Sequence, residues 1–215
     1  METLETEDQE WERLKAWWKR NGGAVIAGVV IGTAVVFGTN WWRNYRNTQA
    51  EGASALYEQM MIQYSEKHAG RARAHGERLL QEYPDSAYAG MAALYLARMA
   101  YETGDRKTAE ARLRWAMDEA GQPAVRHAAR LRLAWLRREA GDGDGARALL
   151  AGGDRGGFAT FYAELEGDLA AAAGRRDRAR ARYRAALDAR APDMATAARI
   201  LGMKLDDLGE EESAP

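Results

Sequence analysis

Cysteine is absent from the chain, which removes disulfide frameworks, thiol nucleophiles and thiolate metal sites while leaving the redox compartment open. Proline is scarce, at four residues, and no stretch alternates β-branched with polar side chains, so a sheet has no sequence basis. Lysine is rare as well, with five against 26 arginines, a ratio that a GC-rich genome explains without any mechanism. Excess charge of one sign is also missing. Residues 1–42 hold six acidic and four basic side chains and residues 43–215 hold 26 and 27, so neither part is built electrostatically for nucleic acid. Catalytic signatures are lacking: there is no G-x-S-x-G, no H-E-x-x-H and no P-loop, and His68, His75 and His127 do not pair at ligand spacing. "GDGDG" at 141–145 begins like a calcium loop, but the bidentate Glu expected eleven residues after Asp142 is Gly153. No enzymatic activity, cofactor or metal is expected.

What is present is one long apolar block in an otherwise polar chain. Mean hydropathy is −0.55 despite 47% apolar content, which describes a water-facing domain beside a hydrophobic element. Residues 17–44 read "WWKRNGGAVIAGVVIGTAVVFGTNWWRN", with 22 consecutive uncharged residues between Arg20 and Arg43. About 20 apolar residues cross a hydrocarbon core roughly 30 Å thick. A secretory signal has an apolar core of only about 7–15 residues and a small-x-small cleavage site. Here the run leads instead into Phe37-Gly38-Thr39-Asn40-Trp41-Trp42. Trp17-Trp18 and Trp41-Trp42 stand 24 positions apart, roughly 36 Å along a helix, which places one indole pair near each interface. The spacing predicts a retained transmembrane helix, over the alternatives of a cleaved signal or a soluble core helix.

Arg13, Lys15, Lys19 and Arg20 precede the span and only Arg43 and Arg46 follow it closely, so the N-terminus is expected inside. The expected order is an acidic cytoplasmic tail (1–20), a span (21–42), a linker (43–50), a folded domain across the membrane (51–208), periplasmic in a bacterium, and a disordered tail (209–215). Within the span, Ala24, Gly28 and Gly32 recur every four residues and form a flat ridge suited to close packing of another helix, although glycine is common in membrane helices in any case.

After the span the chain is rich in Ala, Leu, Arg and Glu, and glycine or proline punctuation predicts helices at 50–68, 70–82, 86–103, 105–120, 124–140, 143–151, 158–173, 175–190 and 193–207. Three segments superpose on turn glycines 104, 141 and 174: "ALYLARMAYETGDRKTAEARLRWAM", "LRLAWLRREAGDGDGARALLAGG" and "AELEGDLAAAAGRRDRARARYRAAL". Each has a small residue seven before the glycine (Ala97, Ala134, Gly167). Each also has the series Ala109/Leu113/Ala116, Ala146/Leu150/Gly153 or Ala179/Tyr183/Ala186 after it. Small residues let paired helices touch and the larger one fills the gap to the next pair.

This pattern resembles the tetratricopeptide repeat, although the tryptophan that opens its first helix is missing and Glu166 stands where a leucine belongs. The fold expected is all-α: one N-terminal transmembrane helix followed by a tetratricopeptide-like solenoid. In that register the groove lined by first helices would include Arg98, Tyr101, Trp135, Arg138, Phe161 and Glu164, suited to an extended peptide or a partner helix, unless Trp135 and Phe161 are core. The basic run "RRDRARARYR" at 175–184 places Arg176, Arg180 and Arg184 on one helix face, read as a solvated face or as a surface for an acidic partner.

A short acidic N-terminus, one span and a degenerate repeat domain ending in "FYAELEGDLAAAAGRRDRARARYRAAL" together resemble the YfgM family, ancillary subunits of the bacterial SecYEG translocon. The resemblance implies a bacterial inner-membrane protein with a periplasmic C-terminal domain that associates with the translocon and with the membrane-anchored chaperone PpiD. It also implies that exported polypeptides are passed to periplasmic chaperones. Two other readings remain: a regulator of an envelope stress response acting through Glu2, Glu5, Glu7, Asp8, Glu10 and Glu12, and a tethered envelope-assembly scaffold.

Overall fold

A computed structural model describes the backbone of residues 2–209 and the side chains of residues 11–24 and 26–209. Beyond Gly209, the tail expected at 209–215 lies outside the described residues, as do the side chains of Glu2, Glu5, Glu7, Asp8 and Glu10. The described chain is helical without a strand: α1 (Glu2–Ser65), α2 (Ala69–Glu82), α3 (Ala87–Glu102), α4 (Arg106–Glu119), α5 (Pro123–Glu139), α6 (Gly143–Leu150), a 3-10 turn (Gly156–Phe158), α7 (Ala159–Ala172), α8 (Arg176–Ala189) and α9 (Ala195–Asp206). Residues 43–50 are helical within α1, and each helix after α1 lies within two residues of its expected bounds. The chain divides into two compact units, Met1–Glu51 and Gly52–Pro215.

In the first unit the described large apolar side chains of α1 face outward, including Trp17, Trp18, Ile26, Val29, Val30, Ile31, Val35, Phe37, Trp41 and Trp42. Its polar side chains fold back onto the helix, Asn21 Nδ2 donating to the Trp17 carbonyl at 3.1 Å and Thr39 Oγ1 to that of Val36 at 3.0 Å. Such local satisfaction removes the main cost of a polar group among apolar ones. Tyr45 packs on both Trp41 and Trp42, at ring-centroid distances of 6.1 and 6.2 Å, and so enlarges that aromatic end. A Cβ added at Gly28 or Gly32 would meet nothing within 4 Å. Among the described residues no single helix is long and apolar enough to cross a membrane; Trp11–Ala24 and Ile26–Ser65, bent by 43°, meet that length and composition together.

In the second unit the same turn recurs three times. Gly104, Gly141 and Gly174 adopt φ of 79°, 81° and 71°, which only glycine takes without strain. Each closes its helix with a bond from the following amide: Asp105 to Ala100, Asp142 to Arg137 and Arg175 to Ala170, all at 2.9 Å. Asp105 and Asp142 then cap the next helix, accepting from the amides of Thr108 at 3.0 Å and Gly145 at 2.8 Å. At the third turn Arg175 takes the capping position and makes no side-chain cap.

The turns fold α3 onto α4, α5 onto α6 and α7 onto α8, while the first helices of successive pairs also touch, α3 with α5 and α5 with α7. Ala97, Ala109, Leu113, Ala116, Ala134, Ala146, Leu150, Ala179, Tyr183 and Ala186 are all buried, as the repeat register requires. Volume is balanced within the pairs. Where the first two have alanine (97, 134) and leucine (113, 150), the third has Gly167 and Tyr183, and a Cβ at Gly167 would be driven into the Tyr183 ring. Gly153 departs from the register. It lies exposed in the loop after α6, which stops at Leu150 because Gly152 and Gly153 both take positive φ.

Candidate functional site

Helices α5, α7 and α9 enclose an open groove of about 510 Å³ lined by Trp135, Phe158, Phe161, Glu164, Asp168 and Lys204, with Ala128, Leu131, Arg132 and Leu165. Each side chain arrives by the repeat geometry. Trp135 is on α5 and Phe161, Glu164 and Asp168 on α7, helices whose contact brings these faces together. Phe158 comes from the 3-10 turn and stacks on His127 at 5.1 Å; Tyr162 Oη lies 3.0 Å from Nδ1 of the same imidazole. This histidine thus sits among aromatic rings rather than ligands, and no group of three or more His, Asp or Glu among the described residues could hold a metal.

Asp168 is the electrostatic centre of the groove. Its carboxylate accepts from Arg138 Nη1 at 2.8 Å, Tyr183 Oη at 2.9 Å and Lys204 Nζ at 2.7 Å, and Lys204 also donates to Glu164 at 2.7 Å. Two cations and two carboxylates leave this network neutral. Burial, then the bond to Asp168, pushes the Tyr183 phenol far above its ordinary pKa. For Lys204 burial works against the charge, but the bonds to Asp168 and Glu164 outweigh it and its pKa sits above the ordinary value. Apart from Arg132, an exposed lining residue outside this network, the polar groups are thus occupied with one another, and the groove offers a ligand aromatic surface: Trp135 and Phe161 are 38% and 42% exposed.

The six residues placed in the groove from the repeat register fall in three ways. Trp135, Phe161 and Glu164 line it directly. Tyr101 packs edge-on against Trp135 at 5.5 Å, with its hydroxyl donating to Glu139 at 3.0 Å, and Arg138 reaches the rim through Asp168. Arg98 is not part of the lining; it pairs along its own helix with Glu102 at 2.8 Å. The register missed Phe158, Asp168 and Lys204. Phe158 belongs to a turn and Lys204 to α9, neither of which the repeat describes. Asp168 is signalled in the sequence only by its place one turn after Glu164.

In comparison with known proteins, the family model described as a tetratricopeptide repeat-like domain matches residues 15–210. Curated relatives named "Ancillary SecYEG translocon subunit" include a Haemophilus influenzae protein 29% identical over 168 residues, 78% of this chain and 82% of that protein. One from Aggregatibacter actinomycetemcomitans is 32% identical over 114 residues, 53% of this chain and 55% of that protein. One from Escherichia coli is 25% identical over 209 residues, 97% of this chain and 99% of that protein.

Proposed function

The chain belongs to the tetratricopeptide repeat-like domain family, and from that premise we propose that it is a non-enzymatic, inner-membrane ancillary subunit of the Sec translocon. The resemblance read from its span and repeats holds at the family level. In this reading residues 21–42 cross the membrane, the N-terminus stays in the cytoplasm and the repeat unit works in the periplasm. The aromatic groove between α5, α7 and α9 receives an extended or helical segment of an exported polypeptide or of a chaperone such as PpiD. The observation that carries the proposal is likeness along nearly the whole chain to an ancillary translocon subunit, in an alignment that takes in both the apolar block and the repeats of this chain.

The groove supports a binding role by its composition. Exposed Trp135 and Phe161 give large contact area at little entropic cost, and Arg138, Glu164, Asp168 and Lys204 beside them already satisfy one another, so these four need little desolvation on docking. The ridge of Ala24, Gly28 and Gly32 is the proposed contact with a translocon helix, with Trp17, Trp18, Trp41 and Trp42 as interface anchors.

The test is co-purification of translocon subunits with the full chain from membranes in mild detergent. Gly28→Leu with Gly32→Leu should release them, since among the described residues a Cβ at either position meets nothing within 4 Å. Trp135→Ala with Phe161→Ala should leave them bound while losing the chaperone. Failure of the wild-type chain to retain any translocon subunit would overturn the proposal.

A further inference from the structure

α8 has a second arginine face besides that of Arg176, Arg180 and Arg184. Arg175, Arg178 and Arg182 border a recessed cleft of about 280 Å³, closed on its other side by Arg147 of α6 and Arg155 of the following loop. Five guanidinium groups thus line one cleft with a single carboxylate, Glu166. That carboxylate is already engaged, at 2.5 Å by Arg155 and 3.3 Å by Arg182. Arg147 is held by the exposed Asp144. Arg175 and Arg178 have no carboxylate partner among the described residues. Counting Glu166 and Asp144 against the five arginines leaves three positive charges in a chain whose overall charge is −1, so the excess is local.

The cleft is also preorganised. Arg155 donates to the Leu150 carbonyl at 3.2 Å and lies over the Tyr162 ring at 5.1 Å, which fixes one wall before any ligand arrives. Glu166, which breaks the repeat pattern in the sequence, holds that wall in place.

We propose that this cleft docks an acidic peptide segment, in which two or three Asp or Glu side chains follow closely on one another. Guanidinium forks match carboxylates in geometry as well as charge. Arg182 of α8 lies seven positions after Arg175, the residue at its N-cap, about 10 Å along the axis, which equals roughly three residues of extended chain and exceeds a single small anion. A recessed cleft also excludes a flat bilayer surface. The cleft shares no lining residue with the aromatic groove and does not depend on the translocon proposal.

The test uses the full chain in neutral detergent and fluorescein-labelled hexaglutamate, read by anisotropy. Hexaglutamate is expected to bind and hexaglutamine not. Arg175→Ser with Arg178→Ser should weaken binding by roughly tenfold or more at unchanged melting temperature, with Arg178→Lys intermediate and Arg176→Ser without effect. Should the double variant lose its helical circular dichroism, Arg178→Glu alone carries the comparison. Binding that is indifferent to both variants overturns the proposal. So does displacement of hexaglutamate by inorganic phosphate at matched charge, or by phosphatidylglycerol vesicles.

Discussion

At the scale of single residues, Gly167 and Tyr183 form the most exacting contact of the repeat unit. The Tyr183 ring cannot swing away, because its hydroxyl is tied to Asp168 at 2.9 Å. Gly167→Ala therefore sets overpacking, about 1–3 kcal/mol, against a helix-propensity gain of about 1 kcal/mol, and a net loss of stability is expected. With Tyr183→Leu in place, the same glycine substitution should turn stabilising, since the third pair then has the alanine and leucine of the other two. Thermal melts of the two singles and the double measure that change of sign; equal effects in both backgrounds would refute the pairing.

The capping aspartates give a pH signature. The amide of Gly145 and then Arg137 lower the Asp142 pKa, and the bonds to Thr108 lower that of Asp105. A depressed folded-state pKa contributes stability above the unfolded value, about 3.9, which is lost as pH falls through the folded value. Melting temperature should thus decline below about pH 4, and Asp105→Asn with Asp142→Asn should flatten that decline while keeping the caps. Both aspartates follow a turn glycine and are legible in the sequence as caps. The Gly167–Tyr183 match is visible there only as two departures from a pattern, with nothing to say that they face each other.

At the scale of elements, the positions of α2 to α9 follow from glycine or proline at or near each turn, with a left-handed glycine at 104, 141 and 174 and an aspartate cap after the first two of these. What the sequence does not convey is where α9 docks, since no repeat period extends to it. Its anchor is Leu201, fully buried against α8, and it carries Lys204 to Glu164 and Asp168. Leu201→Ala should cost about 2–5 kcal/mol. It should also free Lys204 from the groove, which acrylamide quenching would register as greater access to Trp135. A lower melting temperature with unchanged quenching would mean that α9 does not shape the groove. The ending of α6 at Leu150 is likewise local chemistry, legible in "GGDRGG". The cleft beside it depends on Arg155 turning back over Tyr162, which no periodicity reveals.

At the scale of the whole molecule, the sequence reads as two parts of opposite solvent preference, an apolar helix segment with tryptophans at both ends and a polar repeat unit; the structure adds an arginine cleft to the second. Residues 21–42 are uncharged, with their described large apolar side chains facing outward, whereas the leucines at 79, 133, 136, 150 and 201 are buried within the repeat unit. In the proposed function the first part is an anchor and the second a receptor on the far side of the membrane. The translocon and chaperone assignments depend on that sidedness. Proteinase K added to intact spheroplasts tests it, with one antibody against the repeat unit and one against residues 1–20. Digestion of the repeat unit without lysis, with the N-terminal segment protected, is the expected result; a repeat unit that survives until the membrane is lysed would place it in the cytoplasm and remove the proposed role.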